Sequence, residues 1–212
     1  MATKKIPTAQ LIKTKRFAQL YDLVQGLKGK KCWKAAFGYG GELHLHFGAR
    51  IACHNPRMAG ETKGAWILGT CGTPWHLVAP EDSVFSENHC EEDLVPQIRG
   101  LEGAVVMNIA LAVPGGAIEI DFSNKRSLFV TPSARDRRYD VPYWELFVPN
   151  HRFVVFGPGN AWSYGRSDVE SQRQSGPSSK SWLSNIPVVS ARVPHESPRF
   201  HGRDPAAKSK CL

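Results

Sequence analysis

The sequence lacks any run of about 18 or more apolar residues, so no segment is expected to cross a membrane. The opening residues, MATKKIPTAQLIKTKRF, contain no apolar signal-peptide core. The five cysteines are odd in number and no pair has C-x-x-C spacing, which favours reduced thiols. These absences together predict a cytoplasmic protein.

The common catalytic motifs are also missing. The sequence has no G-x-S-x-G, no P-loop and no G-x-G-x-x-G after a predicted strand. Gly157-Pro158-Gly159 is interpreted as a turn, because proline removes the amide donor that a phosphate cradle uses. Binding is therefore favoured over catalysis, although catalysis is left open.

Positive charge is present in excess, and it is unevenly distributed. The formal net charge is +8. Residues 1–34 carry nine Lys/Arg and one acid, residues 35–163 carry ten and fourteen, and residues 164–212 carry eight and four. Basic ends on a mildly acidic body indicate that any nucleic-acid contact would use the ends, although such ends can also serve solubility alone.

Turn-forming residues are frequent, with 19 glycines and 15 prolines, and this favours β structure. The chain is predicted to contain a basic amphipathic helix, two β repeats, an acidic connector between them, and a disordered basic tail with an apolar island at 181–189. In chain order these segments are 1–26, 27–80, 81–100, 101–164 and 165–212. The helix presents Phe17, Leu20, Tyr21 and Val24 on one face.

Self-comparison reveals an internal repeat. GGELHLHF at 40–47 aligns without a gap with GGAIEIDF at 115–122, and each is preceded by L-x-G. A second block has matching spacings, which equate Trp66, Trp75 and Pro80 with Trp144, Phe153 and Pro158. One repeat has too few strands to cover its apolar face. The predicted fold is therefore mainly β, with two tandem repeats forming one sandwich or partly open barrel about a pseudo-twofold axis.

The second repeat resembles a bacterial intracellular β-domain family of unknown function, whose pattern reads L-x-G, F-x-D/N-G, W-E-L and G-P-G. The matching residues are Leu101, Gly103, Phe122, Asn124, Val130, Pro132, Trp144, Glu145, Leu146, Gly157, Pro158 and Gly159. Lys125 departs from the pattern, which has glycine there. The resemblance covers about half the chain and implies a small β domain without implying an activity.

Histidines suggest one candidate site. His44 and His46 share a strand face, and with His76 they are candidate ligands for a divalent metal, the one cofactor the sequence suggests. Gly38-x5-His44-x-His46 is similar to the opening of the first cupin motif, but the second histidine block of that family has no counterpart. The alternative is a solvent-facing polar strand, because Glu119 and Asp121 occupy the same two positions in the second repeat. If those two strands paired, His and carboxylate would meet.

Basic residues beside aromatic ones suggest a second candidate site, for single-stranded nucleic acid. The candidate residues are Lys28, Lys30, Lys31 and Lys34 around Trp33, and Arg135, Arg137 and Arg138 before Tyr139. The alternative is that Trp33 belongs to the core and that the lysines protect a strand edge.

The apolar island of the tail suggests a protein partner, with Trp182, Leu183 and Ile186 as the contact residues. The predicted function is a non-catalytic binding or adaptor subunit of a bacterial intracellular complex, associated with nucleic acid through its basic ends. Two alternatives are a small metal-dependent enzyme that uses the histidine strand and an immunity-type protein that neutralises a toxin. The sequence leaves the oligomeric state open.

Overall fold

The computed structural model describes residues 15–38, 41–53, 60–133 and 141–167, all within one compact unit, Met1–Val169. Its elements, in chain order, are α1 (Lys15–Gln25), β1 (Cys32–Phe37), β2 (Leu43–Ala52), β3 (Thr62–Thr70), β4 (Trp75–Val78), β5 (Val84–Ser86), α2 (Glu91–Arg99), β6 (Val106–Leu111), β7 (Ile118–Phe122), β8 (Ser127–Val130), β9 (Trp144–Val148), β10 (Arg152–Phe156) and β11 (Trp162–Arg166). The segment with Arg135, Arg137 and Arg138 and the segment with Trp182, Leu183 and Ile186 lie outside the described residues.

The strands of the described residues form two antiparallel sheets. The first sheet has the order β1-β2-β3-β9-β10-β11, and the second has the order β5-β4-β8-β7-β6. Buried side chains of both sheets and both helices join in one hydrophobic core. The predicted mainly β fold is confirmed, and its architecture is a sandwich.

The internal repeat is visible in the strand register. Strands β1 and β2 pair with Ala35 opposite Leu45, and β6 and β7 pair with Ile109 opposite Ile120. Both hairpins carry a β-bulge at the same point, between Cys32 and Lys34 in one and at the corresponding position of the other. We call α1 through β5 the first repeat and α2 through β10 the second repeat.

The two repeats exchange strands. Strand β4 of the first repeat pairs with β8 of the second, and β9 of the second pairs with β3 of the first. The indole N–H of Trp75 donates to the Gly41 carbonyl at 3.0 Å, and that of Trp144 donates to the Gly116 carbonyl at 2.7 Å. Each sheet is thus completed by two strands from the other copy, β9 and β10 in the first sheet and β4 and β5 in the second.

The helices are exchanged in the same way, since α1 packs against β6 and α2 packs against β1. The Gly29 amide donates to the Val106 carbonyl, and the Gly103 amide donates to the Cys32 carbonyl. Reciprocal contacts of this kind define an isologous interface, here within one chain. They are the pseudo-twofold relation that the sequence predicts.

In the second block of the predicted repeat, the alignment of Trp66 with Trp144 is wrong. The registers equate Trp75 with Trp144, since Trp75 pairs with Val130 and Trp144 pairs with Thr70 at matching positions. The prediction failed because β2 and β3 extend well beyond the corresponding β7 and β8. Equal spacings counted from Trp66 in the first copy and from Trp144 in the second therefore do not lead to equivalent residues.

The prediction for the aromatic core was partly wrong. Trp75 and Trp144 are buried, and the Trp144 ring stacks on Phe156 at a centroid distance of 5.3 Å. Trp33, Trp66 and Phe153, by contrast, are only partly buried. The core instead fills with the alternating aliphatic residues of both repeats, together with Leu20 and Val24 of α1.

Candidate nucleic-acid interface

Strand β2, which carries His44 and His46, has one buried face and one solvent-exposed face. Leu43, Leu45 and Phe47 of β2 are buried in the core, whereas His44 and His46 are partly exposed on the outer face of the first sheet. This alternation agrees with the solvent-facing interpretation of the two histidines.

His46 is held in place by its surroundings. Its Nδ1 accepts a hydrogen bond from the Gly64 amide at 3.1 Å, and its ring meets Trp33 edge-on at a centroid distance of 5.4 Å. Burial, reinforced by the nearby charges of Lys34, His44 and Lys63, lowers the pKa of His46 to about 4. At neutral pH His46 is therefore an uncharged acceptor that fixes the β2–β3 hairpin.

The protein should lose stability on mild acidification through His46. The pKa of His46 is about 4 in the folded protein and 6.5 as the ordinary value, so the unfolded chain takes up the proton first and stability falls as the pH drops from 6.5 towards 4. The loss at pH 5 should be about 2 kcal/mol. It is measured by urea unfolding at pH 7 and pH 5.

His46→Asn is the matched variant, because the Asn carbonyl can still accept from Gly64 but does not titrate. The variant should show a smaller loss between pH 7 and pH 5 than the natural protein. Burial lowers the pKa of His76, which also reduces stability as the pH falls. The raised pKa of Glu145 increases stability as the pH falls. Both contributions remain in the variant, so an equal loss in the two proteins would contradict this assignment.

His44 lies between two carboxylates. Its Nε2 is 3.8 Å from Oε2 of Glu42. On its other side, β3 places Gly69 opposite both His44 and Glu145. A Cβ at position 69 would lie 3.3 Å from Glu145 Oε1 and 3.6 Å from His44 Nδ1. Both side chains therefore border the space above a glycine.

Burial dominates the chemistry of the neighbouring groups. It raises the pKa of the Glu145 carboxyl, an effect that His44 opposes and Glu42 reinforces. It also raises the pKa of the Cys71 thiol, with further contributions from Glu145 and Glu42. Cys71 is therefore a protonated thiol near neutral pH and a poor nucleophile.

The predicted metal trio is not assembled. His44 and His46 belong to the first sheet, whereas His76 lies on β4 in the second sheet and stacks on Phe129 at a centroid distance of 4.7 Å. Across the described ranges, no group of three or more His, Cys, Asp or Glu side chains is placed to hold a metal ion. The expected meeting of His44 with Glu119 also does not occur, because β2 and β7 lie in different sheets.

Basic and aromatic side chains converge at the end of β2. The guanidinium carbon of Arg50 lies 4.5 Å from the centroid of the Trp33 ring. Lys31, Trp33, Gly48, Arg50 and Gly103 line an open pocket of about 350 Å³. We call the surface formed by Lys30, Lys31, Trp33, Lys34 and Arg50 the basic-aromatic surface.

Gly48 is the residue that allows this convergence. Its φ of +72° lies in the left-handed region, and the β2–β3 register shifts between Phe47 and Arg50. The kink carries Arg50 onto Trp33, and next to it Lys30 lies 5.7 Å from the centroid of the Trp66 ring. A side chain at position 48 would also meet Lys30 and Trp66 at 3.4 Å.

The positive charge of this surface is not neutralised locally. Within the described part of the chain, neither Lys30, Lys31, Lys34 nor Arg50 forms an ion pair with a carboxylate. The indole nitrogen of Trp33 is buried and has no hydrogen-bond acceptor among those residues. The surface thus offers unpaired cations next to aromatic rings.

The described residues of the second repeat do not form an equivalent surface. Register places Met107 where the first repeat has Trp33, and Asn108 where it has Lys34. Ala104 and Val105 precede them in the positions of Lys30 and Lys31. The scaffold therefore does not require the basic-aromatic residues, since it forms without them in the other copy.

Sequence reasoning identified Trp33 and all of its neighbouring lysines, of which Lys28 is exposed in the turn after α1. It missed Arg50 and Glu145. Arg50 follows a glycine within a predicted strand, which can signal a bulge. No local signal ties Glu145 to His44, because the two belong to different repeats.

Comparison with protein-family models, with characterised proteins and with solved structures finds no match to this chain. None of the helices in the described ranges has both the length and the apolar character needed to span a membrane. The functional proposal therefore rests on the chemistry of the basic-aromatic surface.

Proposed function

We propose that this protein binds single-stranded nucleic acid on the basic-aromatic surface of its first repeat. The observation that carries the proposal is the Arg50–Trp33 stack, flanked by unpaired lysines and without a counterpart among the described residues of the second repeat. The wider role is that of an accessory binding protein.

The chemistry fits a single strand. Bases stack on aromatic rings and on guanidinium planes, and Arg50 over Trp33 supplies both at one point. Phosphates pair with cations, and Lys31 and Lys34 stand on either side of Trp33 in the sequence. A single strand exposes its bases and backbone together, so one ligand can use both kinds of contact.

The local electrostatics support the same ligand. Lys34 and Lys63 both lower the pKa of His46, which means that their positive charge is felt on the outer face of β2. An anionic backbone lying along β1 and β2 would relieve this like-charge crowding. His46 itself, uncharged at neutral pH, would form part of the protein surface beneath the bound strand.

The direct test is binding of a fluorescein-labelled oligothymidylate, followed by fluorescence anisotropy over a range of salt concentrations. Affinity should fall steeply with salt. Replacing both Lys31 and Arg50 with Ala should weaken binding at least tenfold and should reduce the log–log salt slope by about 1.4, at about 0.7 for each phosphate contact in a single strand.

Arg99→Ala combined with Lys125→Ala is the matched control, because it removes the same charge from exposed positions of the second repeat. It should leave affinity within about twofold. If both pairs weakened binding equally, attraction would depend on net charge rather than on this surface. If the natural protein did not bind at low salt, the proposal would fail.

A further inference from the structure

The outer face of the first sheet carries a second feature, beside the basic-aromatic surface. His44, Gly69 and Glu145 stand in one row across β2, β3 and β9. The side chains of His44 and Glu145 border the space above Gly69. They are not paired with each other, since within the described residues the ion pair of His44 is with Glu42. A group held above Gly69 could therefore touch both.

The equivalent row of the second sheet shows that the fold does not need this opening. There the three positions are Glu119, Phe129 and His76, so that histidine and glutamate are interchanged. Phe129 fills the central position and stacks on His76, with the ring planes 8° apart. The sheet thus tolerates a large side chain where the first sheet has Gly69.

We propose that His44 and Glu145 form an acid–base pair that cleaves RNA bound to the basic-aromatic surface. This inference rests on the proposed function, because that surface would hold the strand. A histidine and a carboxylate on either side of one bound group are suited to giving and taking a proton during the same reaction.

The reaction is an internal transphosphorylation of the RNA backbone. The Glu145 carboxylate takes the proton of a ribose 2′-hydroxyl, and the 2′-oxygen forms a new bond to the adjacent phosphorus. The bond from phosphorus to the 5′-oxygen breaks, and protonated His44 gives that oxygen its proton. The products are a 2′,3′-cyclic phosphate and a free 5′-hydroxyl. Proton exchange with water restores both residues, and no other reactant is consumed.

Two features of the site support this assignment. Burial raises the pKa of Glu145, and a carboxylate with a raised pKa is a stronger base. Lys34 pairs with His46, and Ala36 pairs with His44. These two cross-strand pairs are neighbours on the same face of the sheet. A long side chain at a diagonal position can reach across such a distance, so Lys34 can contact the phosphate under attack.

The position of the site also fits the proposed path of the strand. Lys34 and His46 separate the row of His44 and Glu145 from the stack of Arg50 on Trp33. A single strand that continues from that stack along β2 would reach His44, which borders the space above Gly69. Binding and cleavage would use one continuous face of the first sheet.

The test uses a DNA oligonucleotide that contains a single ribonucleotide, with cleavage and binding measured separately on the full chain. Cleavage should occur on the 3′ side of the ribonucleotide and leave a cyclic phosphate, detected by mass spectrometry. His44→Gln and Glu145→Gln should each lower the rate roughly 100-fold or more with affinity unchanged. His76→Gln, the variant at the interchanged histidine, should leave the rate unchanged.

Gly69→Ala is the sharpest variant, because its methyl group would occupy the space between His44 and Glu145 at a position where the other sheet holds Phe129. It should fold, bind and fail to cleave. Binding without cleavage in the natural protein, or cleavage that persists in the His44→Gln/Glu145→Gln double variant, would overturn this inference and leave the proposed function standing. Absence of binding would overturn both.

Discussion

Replacing Trp144 with Ala should lower the free energy of unfolding by about 3–5 kcal/mol, the usual cost of removing a fully buried large aromatic side chain. Trp144 is 0% exposed, stacks on Phe156 and donates to the Gly116 carbonyl. It also begins β9, the strand through which the second repeat joins β3 in the first sheet. Its loss therefore weakens the core and the exchange of strands together, and urea unfolding measures the effect.

The pseudo-twofold relation makes this prediction stricter. Trp75 occupies the equivalent position, is 2% exposed and donates to the Gly41 carbonyl, so Trp75→Ala should cost a similar amount. Trp33→Phe serves as a control, since that ring is only partly buried, and it should change stability by about 1 kcal/mol or less. If the Trp144 and Trp75 variants were no less stable than this control, the exchanged-strand core would be wrong.

The second large effect is expected at Gly116, with Gly41 as its matched partner. Both glycines have positive φ, +78° and +82°, so Ala should cost about 1–2 kcal/mol at either position through backbone strain. At Gly116 a Cβ would also run into the Phe156 ring, whereas at Gly41 the nearest atom would be the Glu87 Cβ at 3.7 Å. Overpacking should add about 1–3 kcal/mol at Gly116 alone.

Thermal or urea unfolding of the two variants separates these contributions. Gly116→Ala should be clearly the less stable of the pair, and its difference from Gly41→Ala reports the contact with Phe156. Equal destabilisation would mean that backbone strain accounts for the whole cost at both turns, and that the close packing of β10 on the Gly116 turn is incorrect.

The alternation of apolar residues was enough to predict the repeated hairpin, because side chains in a strand alternate between two faces regardless of the rest of the chain. The exchange of strands could not be read from the same pattern. Whether β4 pairs with β3 or with β8 depends on the packing of the two copies, and spacing along the chain contains no such information. The longer β2–β3 hairpin then displaced the apparent match of Trp66 with Trp144.

The candidate site was predictable to a similar extent. Lysines around Trp33 are a local pattern and were found from the sequence. Arg50 joins them only through the kink at Gly48, and Glu145 reaches His44 only because β9 crosses to the other repeat. His76 was grouped wrongly with the other histidines for the same reason, since β4 crosses to the second sheet. Each miss is a long-range contact that the exchange of strands creates.

Binding at the basic-aromatic surface is measured most directly by titrating the protein with oligothymidylate and following the titration in proton–nitrogen correlation spectra. The Trp33 indole resonance should shift strongly, because that ring lies at the proposed contact beside Arg50. The Trp75 and Trp144 indoles, each bonded to a glycine carbonyl, should stay in place. Shifts spread evenly over both repeats, or an unmoved Trp33 indole at saturation, would contradict a binding surface confined to the first repeat.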